Sequence, residues 1–171
     1  MTALQELGNS VRQRRTDMAM TQAAVARLSG LSRATINQIE NGAICDLSLS
    51  RTARLLDVVG LKVVVSPARE REAPATQHPP PRSALALAAQ TASVSYRVAL
   101  SAAQVRTVFC TGEIEPEFLP HLFSLLEEAP VALLARVVEA LHAQDGVTHA
   151  SVWQTMRQLA RQLKSNRALW Q

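Results

Sequence analysis

Near the N-terminus, two short helical segments separated by a four-residue break constrain the fold more than any other feature. Thr21 and Ser32 are good N-caps for the two segments, because a hydroxyl oxygen there accepts a hydrogen bond from the first helical turn. Gly30 in the break and Gly42 after the second segment permit the left-handed backbone on which helices end. Ala26 is small enough for one helix to cross the other closely. The pattern predicts a packed helical pair with a tight turn.

The second helix of the pair has an apolar face and a polar face. Ile36 and Ile39 belong to the wedge between the two helices. The other positions carry polar or small side chains, namely Arg33, Ala34, Thr35, Asn37 and Gln38. Side chains of this kind suit the base edges of a DNA major groove, where arginine pairs with guanine, amides pair with adenine and a methyl group contacts thymine. The spacing predicts a helix-turn-helix that reads DNA with residues 32–40.

Further elements flank this pair. A first helix ends near Arg15, and a fourth runs from about Ser48 to Val59 with Leu49, Ala53, Leu55 and Leu56 expected in the core. The next five residues are rich in β-branched side chains and predict a short strand: Leu61, Lys62, Val63, Val64 and Val65. Because a single strand is not stable alone, the same strand of a second copy is its expected partner.

Residues 4–65 resemble the Xre/lambda-repressor-like helix-turn-helix family. The resemblance rests on Thr21-Gln22, Gly30-Leu31-Ser32 and Ile39-Glu40-Asn41-Gly42. The segment Leu61–Val65 is similar to the HipB-like branch, in which a strand pairs across the dimer. Membership would imply a two-fold homodimer on a pseudo-palindromic operator.

The resemblance also implies roles for individual residues. Gln22 would bind a DNA phosphate, and Asn41 would contact the DNA backbone. Arg15 and Glu40 would form a structural ion pair. Arg12 and Arg14 are further candidates for phosphate contacts. The implied DNA-binding set is Gln22, Ser32, Arg33, Ala34, Thr35, Asn37, Gln38, Asn41, Arg12 and Arg14. The sequence after Gly42 lacks the basic residue that often follows in the family, which predicts fewer phosphate contacts there.

Prolines divide the chain. Five of the eight lie between Pro67 and Pro81, and proline blocks helix, so residues 67–84 are interpreted as an extended linker. It separates a DNA-binding domain at 1–66 from a helical module at 85–171, which contains a helix with 3.6-residue apolar periodicity around Leu133–Leu141. The predicted fold is therefore all-α, with an N-terminal helix-turn-helix domain, one short strand, a Pro-rich linker and a C-terminal helical bundle.

Two features near the C-terminus have alternative interpretations, and the last predicted helix there carries Val152, Met156, Leu159 and Leu163 on its apolar side. Arg157, Arg161 and Lys164 lie on one side of it, either as a solvated face or as a second electrostatic contact with DNA or an acidic partner. Trp153 is expected in the core, whereas Trp170 is either frayed or an anchor in an interface.

Composition excludes several classes of protein. Cys45 and Cys110 are too few for a disulfide framework, and the four histidines show no metal-binding spacing, so neither a metal nor another cofactor is expected. No signal peptide and no apolar run of about 18 residues is found, which favours a cytoplasmic protein without a membrane span. No catalytic constellation is recognised, so an enzyme is not expected.

The sequence favours a DNA-binding transcriptional regulator, specifically a dimeric repressor of its own operon. The net charge of +4 permits an anionic partner. The alternative is an antitoxin that represses its operon and binds a toxin through the C-terminal part. That part would extend the dimer, sense a ligand or bind another protein.

Overall fold

The computed structural model describes residues 3–64 and 83–171. Residues 3–64 contain α1 (Ala3–Asp17), α2 (Gln22–Ser29), α3 (Arg33–Glu40) and α4 (Leu49–Val58). The predicted caps are confirmed, because Thr21 Oγ1 accepts from the Ala24 amide at 3.1 Å and Ser32 Oγ accepts from the Thr35 amide at 3.0 Å. Gly30 ends α2 with φ 70°, the left-handed conformation that glycine adopts without strain. Local sequence therefore fixes the boundaries of the helix-turn-helix.

Helix α1 crosses α3 at Gly8. This glycine is buried, and a Cβ atom added to it would overlap the carbonyl oxygen of Ile39 in the α3 backbone. Val11, one turn further along α1, is fully buried, as are Ile36 and Ile39 of α3. The close crossing of the two backbones therefore depends on the absence of a side chain at residue 8.

Helix α4 buries a narrower face than the sequence predicted. Leu55 and Leu56 are buried as expected, but Ala53 is exposed and Leu49 is 71% exposed. The buried face includes Val59 and leaves Leu49, in the first turn, at its margin. The core positions predicted at Leu49 and Ala53 are wrong for this reason.

The predicted strand is not observed. Residues 61–64 have no regular secondary structure, Val65 lies outside the described residues, and the described ranges contain no strand. A strand is defined by hydrogen bonds to a neighbouring strand, and a single copy of the chain provides no such neighbour in its described ranges. Leu61 is half-buried, whereas Lys62, Val63 and Val64 are exposed.

Residues 83–171 continue the all-helical architecture. They contain α5 (Ala84–Ser93), α6 (Ala102–Thr111), α7 (Leu119–Glu128), α8 (Val131–Asp145) and α9 (His149–Gln162), with 3-10 turns at Pro116–Phe118 and Ala168–Trp170. Helix α5 packs against α6, α7 and α8, and α9 packs against the same three helices. Most of the predicted linker, residues 67–82, lies outside the described residues, whereas Ser83 caps α5 and Ala84 begins it.

The C-terminal helices pack directly on the N-terminal ones. Helix α9 contacts α1, and α8 contacts α4. The Arg157 guanidinium donates to the Met18 carbonyl at 3.1 Å, and the Arg27 guanidinium donates to the Gln171 carbonyl at 3.0 Å. A Cβ atom on Gly60 would lie 3.2 Å from Cβ of Ala135 on α8. The buried apolar residues of the two parts form one continuous core.

Trp170 anchors the C-terminal end of the chain. It is 2% exposed, its indole Nε1 donates to the Leu126 carbonyl at 3.0 Å, and its ring centroid lies 6.2 Å from that of Trp153. Both tryptophans therefore belong to the core of the C-terminal part, and Trp170 is not frayed.

Among the described residues, one bent pair of helices has the combined length and composition of a membrane span. Within residues 3–64 and 83–171, no single helix is long and apolar enough to cross a bilayer. Pro116–Glu128 and Val131–Asp145 meet the length and composition criteria only together, and they are bent by 116° at the break between them.

Candidate nucleic-acid interface

Helix α3 presents a polar outer face. Ile36 and Ile39 are fully buried against the helices that pack on α3, namely α1 and α2. The side chains on the opposite side are exposed: Arg33, Ala34, Asn37 and Gln38. The structure therefore brings the predicted base-reading residues together on one solvent-accessible face of a helix.

Hydrogen bonds within the described chain distinguish the residues of this face. Ser32 Oγ and Thr35 Oγ1 lie 2.9 Å apart at the start of α3, so both hydroxyls take part in the helix cap. The Asn41 amide donates to Asn37 Oδ1 at 2.9 Å, which uses one of the two lone pairs of that oxygen and leaves the amide protons of Asn37 free of this contact. The side chains of Arg33 and Gln38 have no hydrogen-bond or ion-pair partner among the described residues. An adenine pair needs both a donor and an acceptor, and both amides provide them, but only the Asn37 amide is already engaged by a neighbouring side chain.

Beneath this face, Glu40 is held by two side chains. Arg15 Nε and Nη2 donate to the Glu40 carboxylate at 2.6 and 3.0 Å, and Gln22 Nε2 donates to it at 2.9 Å. Arg15 also donates to the Met20 carbonyl at 2.9 Å, which connects α1, the loop before α2 and α3. Arg15 is thus engaged inside the fold, in the position that the resemblance implied for it.

Burial and hydrogen bonding have opposite effects on the pKa of Glu40. Burial alone would raise the pKa of this carboxyl. Hydrogen bonds from Arg15 and Gln22, together with the positive charges of Arg15 and Arg12, outweigh burial and lower the pKa below the ordinary value. Glu40 is therefore ionised at neutral pH, and it fixes Gln22 at the start of α2.

The remaining predicted phosphate ligands have different surroundings. Arg12 is exposed. Arg14 is directed to the C-terminal part, where its guanidinium lies 2.6 Å from the carboxylate of Glu139 on α8. His149 lies 3.1 Å from the other oxygen of that carboxylate. Sequence inspection had no signal for the contact with Glu139, because 125 residues separate the partners.

The two cysteines have different surroundings. Cys45 is exposed in the loop after α3. Burial raises the pKa of the Cys110 thiol, which also lies near the negative charge of Asp145. Within residues 3–64 and 83–171, no three His, Cys, Asp or Glu side chains form a group able to hold a metal ion.

Comparison with known proteins agrees with the geometry. Residues 6–66 match the family model of a helix-turn-helix domain, which covers just over a third of the chain. No curated protein and no solved structure matches the chain. The N-terminal part is thus a helix-turn-helix domain, which indicates a DNA-binding regulator. The described fold is all-helical.

Proposed function

We propose that this protein is a sequence-specific transcriptional repressor of the HipB-like branch of the Xre/lambda-repressor-like family. The observation that carries the proposal is the outer face of α3, on which Arg33, Ala34 and Gln38 are exposed. In a helix-turn-helix this helix enters the major groove while the preceding helix crosses the DNA backbone. The repressor would act in the cytoplasm.

Each exposed side chain has a chemical role in this proposal. Arg33 pairs with guanine through two donors, Gln38 pairs with adenine through its amide, and Ala34 contacts a thymine methyl group. Gln22 already donates one amide proton to Glu40, and its second amide proton remains for a phosphate oxygen. The positive charge of Arg12 adds electrostatic attraction to the phosphates of the DNA backbone.

The repressor would bind as a homodimer. Val63 and Val64 are 47% and 73% exposed directly after the helix-turn-helix domain, and exposed β-branched residues suit a strand that pairs with its copy. Such a two-stranded ribbon places two recognition helices on one pseudo-palindrome. A Val64→Lys variant should shift sedimentation from dimer toward monomer, and an unchanged dimer would place the seam elsewhere.

The test is selection of binding sites from a random duplex library, followed by footprinting on the DNA upstream of the gene. Arg33→Ala and Gln38→Ala should each reduce sequence preference, by about tenfold or more per lost base contact, while folding and dimerisation persist. Arg136→Ala and Gln144→Ala on α8 are matched controls, because both side chains are exposed and lie outside the helix-turn-helix.

Two results would contradict the proposal. If the wild-type protein selects no sequence from the library, it is not a sequence-specific regulator. An unchanged footprint in both α3 variants would show that α3 does not read bases. The antitoxin alternative predicts a further result, namely a protein encoded beside this gene that forms a stable complex with residues of the C-terminal part.

A further inference from the structure

We propose that α9 forms a second phosphate-binding edge for DNA, built from Arg157 and Arg161 beside the start of α2. This inference rests on the proposed DNA-binding function and extends it to the C-terminal part of the chain. Sequence periodicity alone is compatible with two roles for these arginines, namely a solvated helix face or a functional contact.

The two arginines line a cleft between the N-terminal and C-terminal parts. The cleft has a volume of about 210 Å³, and it includes Thr21 and Ala24 of the α2 region together with Arg157 and Arg161 of α9. An adjoining cleft of about 490 Å³ shares Ala19 and both arginines. No Asp or Glu side chain is among the described residues that line either cleft.

The charge of this pair is not neutralised within the described chain. Arg157 is half-buried and uses one guanidinium nitrogen to donate to the Met18 carbonyl. Arg161 is exposed and has no hydrogen-bond or ion-pair partner among the described residues. Burial lowers the pKa of Arg157, and the positive charge of Arg161 lowers it further. An anion between the two guanidinium groups would relieve their mutual repulsion.

The position of the cleft favours a DNA phosphate as the anion. The first helix of a helix-turn-helix crosses the DNA backbone, and α2 is that helix here. Thr21, which caps α2, lies in the same cleft as Arg157 and Arg161. A DNA backbone that crosses the start of α2 would lie beside the cleft that Arg161 lines, and the hydrogen bond from Arg157 to the Met18 carbonyl attaches α9 to the loop before α2.

The experiment measures binding to a random-sequence 30-base-pair duplex between 50 and 200 mM KCl, which needs no knowledge of the operator. Each lost phosphate contact should reduce the slope of log K against log salt by about 0.9. The ratio of the wild-type binding constant to that of Arg161→Gln should therefore fall by about threefold between 50 and 200 mM KCl. Arg161→Glu should bind more weakly than Arg161→Gln, because it adds repulsion.

Arg136→Gln is the matched control, since Arg136 is an exposed arginine on α8 that lines neither cleft. The control should keep the wild-type slope. Equal slopes for Arg161→Gln, Arg136→Gln and wild type would overturn the inference while leaving the proposed function intact. Absence of duplex binding by the wild type would overturn both.

Calorimetry with inorganic phosphate distinguishes a small anion from the DNA backbone as the occupant of the cleft. Phosphate binding that is lost in Arg161→Gln, combined with an unchanged salt slope, would assign the cleft to a small anion and overturn the duplex contact. If Arg161→Gln has a smaller salt slope for duplex binding and the wild type shows no measurable phosphate binding, the occupant of the cleft is the DNA backbone.

Discussion

The guanidinium of Arg15 and the carboxylate of Glu40 form a two-point ion pair that joins α1 to the end of the recognition helix. The two donor–acceptor distances are 2.6 and 3.0 Å, and the Glu40 side chain is only 2% exposed. A buried carboxylate is costly unless it is paired, so the fold depends on the presence of Arg15 beside Glu40.

Removal of Arg15 should therefore destabilise the fold strongly. Arg15→Ala leaves the Glu40 charge buried without its main partner, and we expect a loss of about 3 kcal/mol in the free energy of unfolding. Urea unfolding at pH 7 measures it. The double variant Arg15→Ala/Glu40→Gln should recover part of the loss. If its loss in the free energy of unfolding equalled the sum of the losses of the two single variants, the two side chains would not interact.

The same pair predicts a dependence of stability on pH. The pKa of Glu40 is lower in the folded state than its ordinary value of 4.5. Its contribution is therefore complete above pH 4.5 and is lost as the pH falls through the lower, folded value. The stability difference between wild type and Glu40→Gln should therefore stay constant above about pH 4.5 and shrink as the pH is lowered further. A constant difference would contradict the lowered pKa.

Gly8→Ala should separate α1 from α3. Alanine favours helix, but its Cβ would overlap the Ile39 carbonyl oxygen, which is backbone and cannot move independently. We expect a net destabilisation of about 1–3 kcal/mol in thermal or urea unfolding. Asn9→Ala is the control, because Asn9 is the exposed neighbour on the same helix. If Gly8→Ala were as stable as Asn9→Ala, the close crossing would be disproved.

The ion pair between Arg14 and Glu139 should affect DNA binding more than stability. Glu139 is 48% exposed, and exposed ion pairs contribute less than about 1 kcal/mol. Glu139→Gln frees Arg14, so affinity for a random duplex in fluorescence anisotropy should rise, whereas Arg14→Ala should lower it. If Glu139→Gln raised affinity equally in an Arg14→Ala background, the gain would come from general charge and not from Arg14.

Trp170→Ala should destabilise the C-terminal part. The substitution empties a buried site and removes the hydrogen bond to the Leu126 carbonyl, for an expected cost of about 3–5 kcal/mol. Trp170→Phe keeps most of the volume and should cost less. Urea unfolding followed by the fluorescence of Trp153 reports the change, and wild-type stability in Trp170→Ala would show that the C-terminal anchor is dispensable.

Local sequence predicted the helix-turn-helix well. Thr21, Ser32 and Gly30 act on hydrogen bonds within three or four residues of themselves, so their effect is independent of distant parts of the chain. The alternation of Ile36 and Ile39 with Arg33, Asn37 and Gln38 likewise follows from helix periodicity. For these reasons the candidate recognition face was identifiable before any tertiary contact was known.

Tertiary structure decided which exposed or charged residues have partners. Arg14 pairs with Glu139, Arg157 donates to Met18 and Trp170 packs near Trp153, and the first two contacts join residues more than 100 positions apart. Periodicity predicts only which side of a helix is apolar, because it carries no information on which distant helix covers that side. The strand predicted for residues 61–65 depends on a partner in the same way, since strand hydrogen bonds are made between segments and not within one.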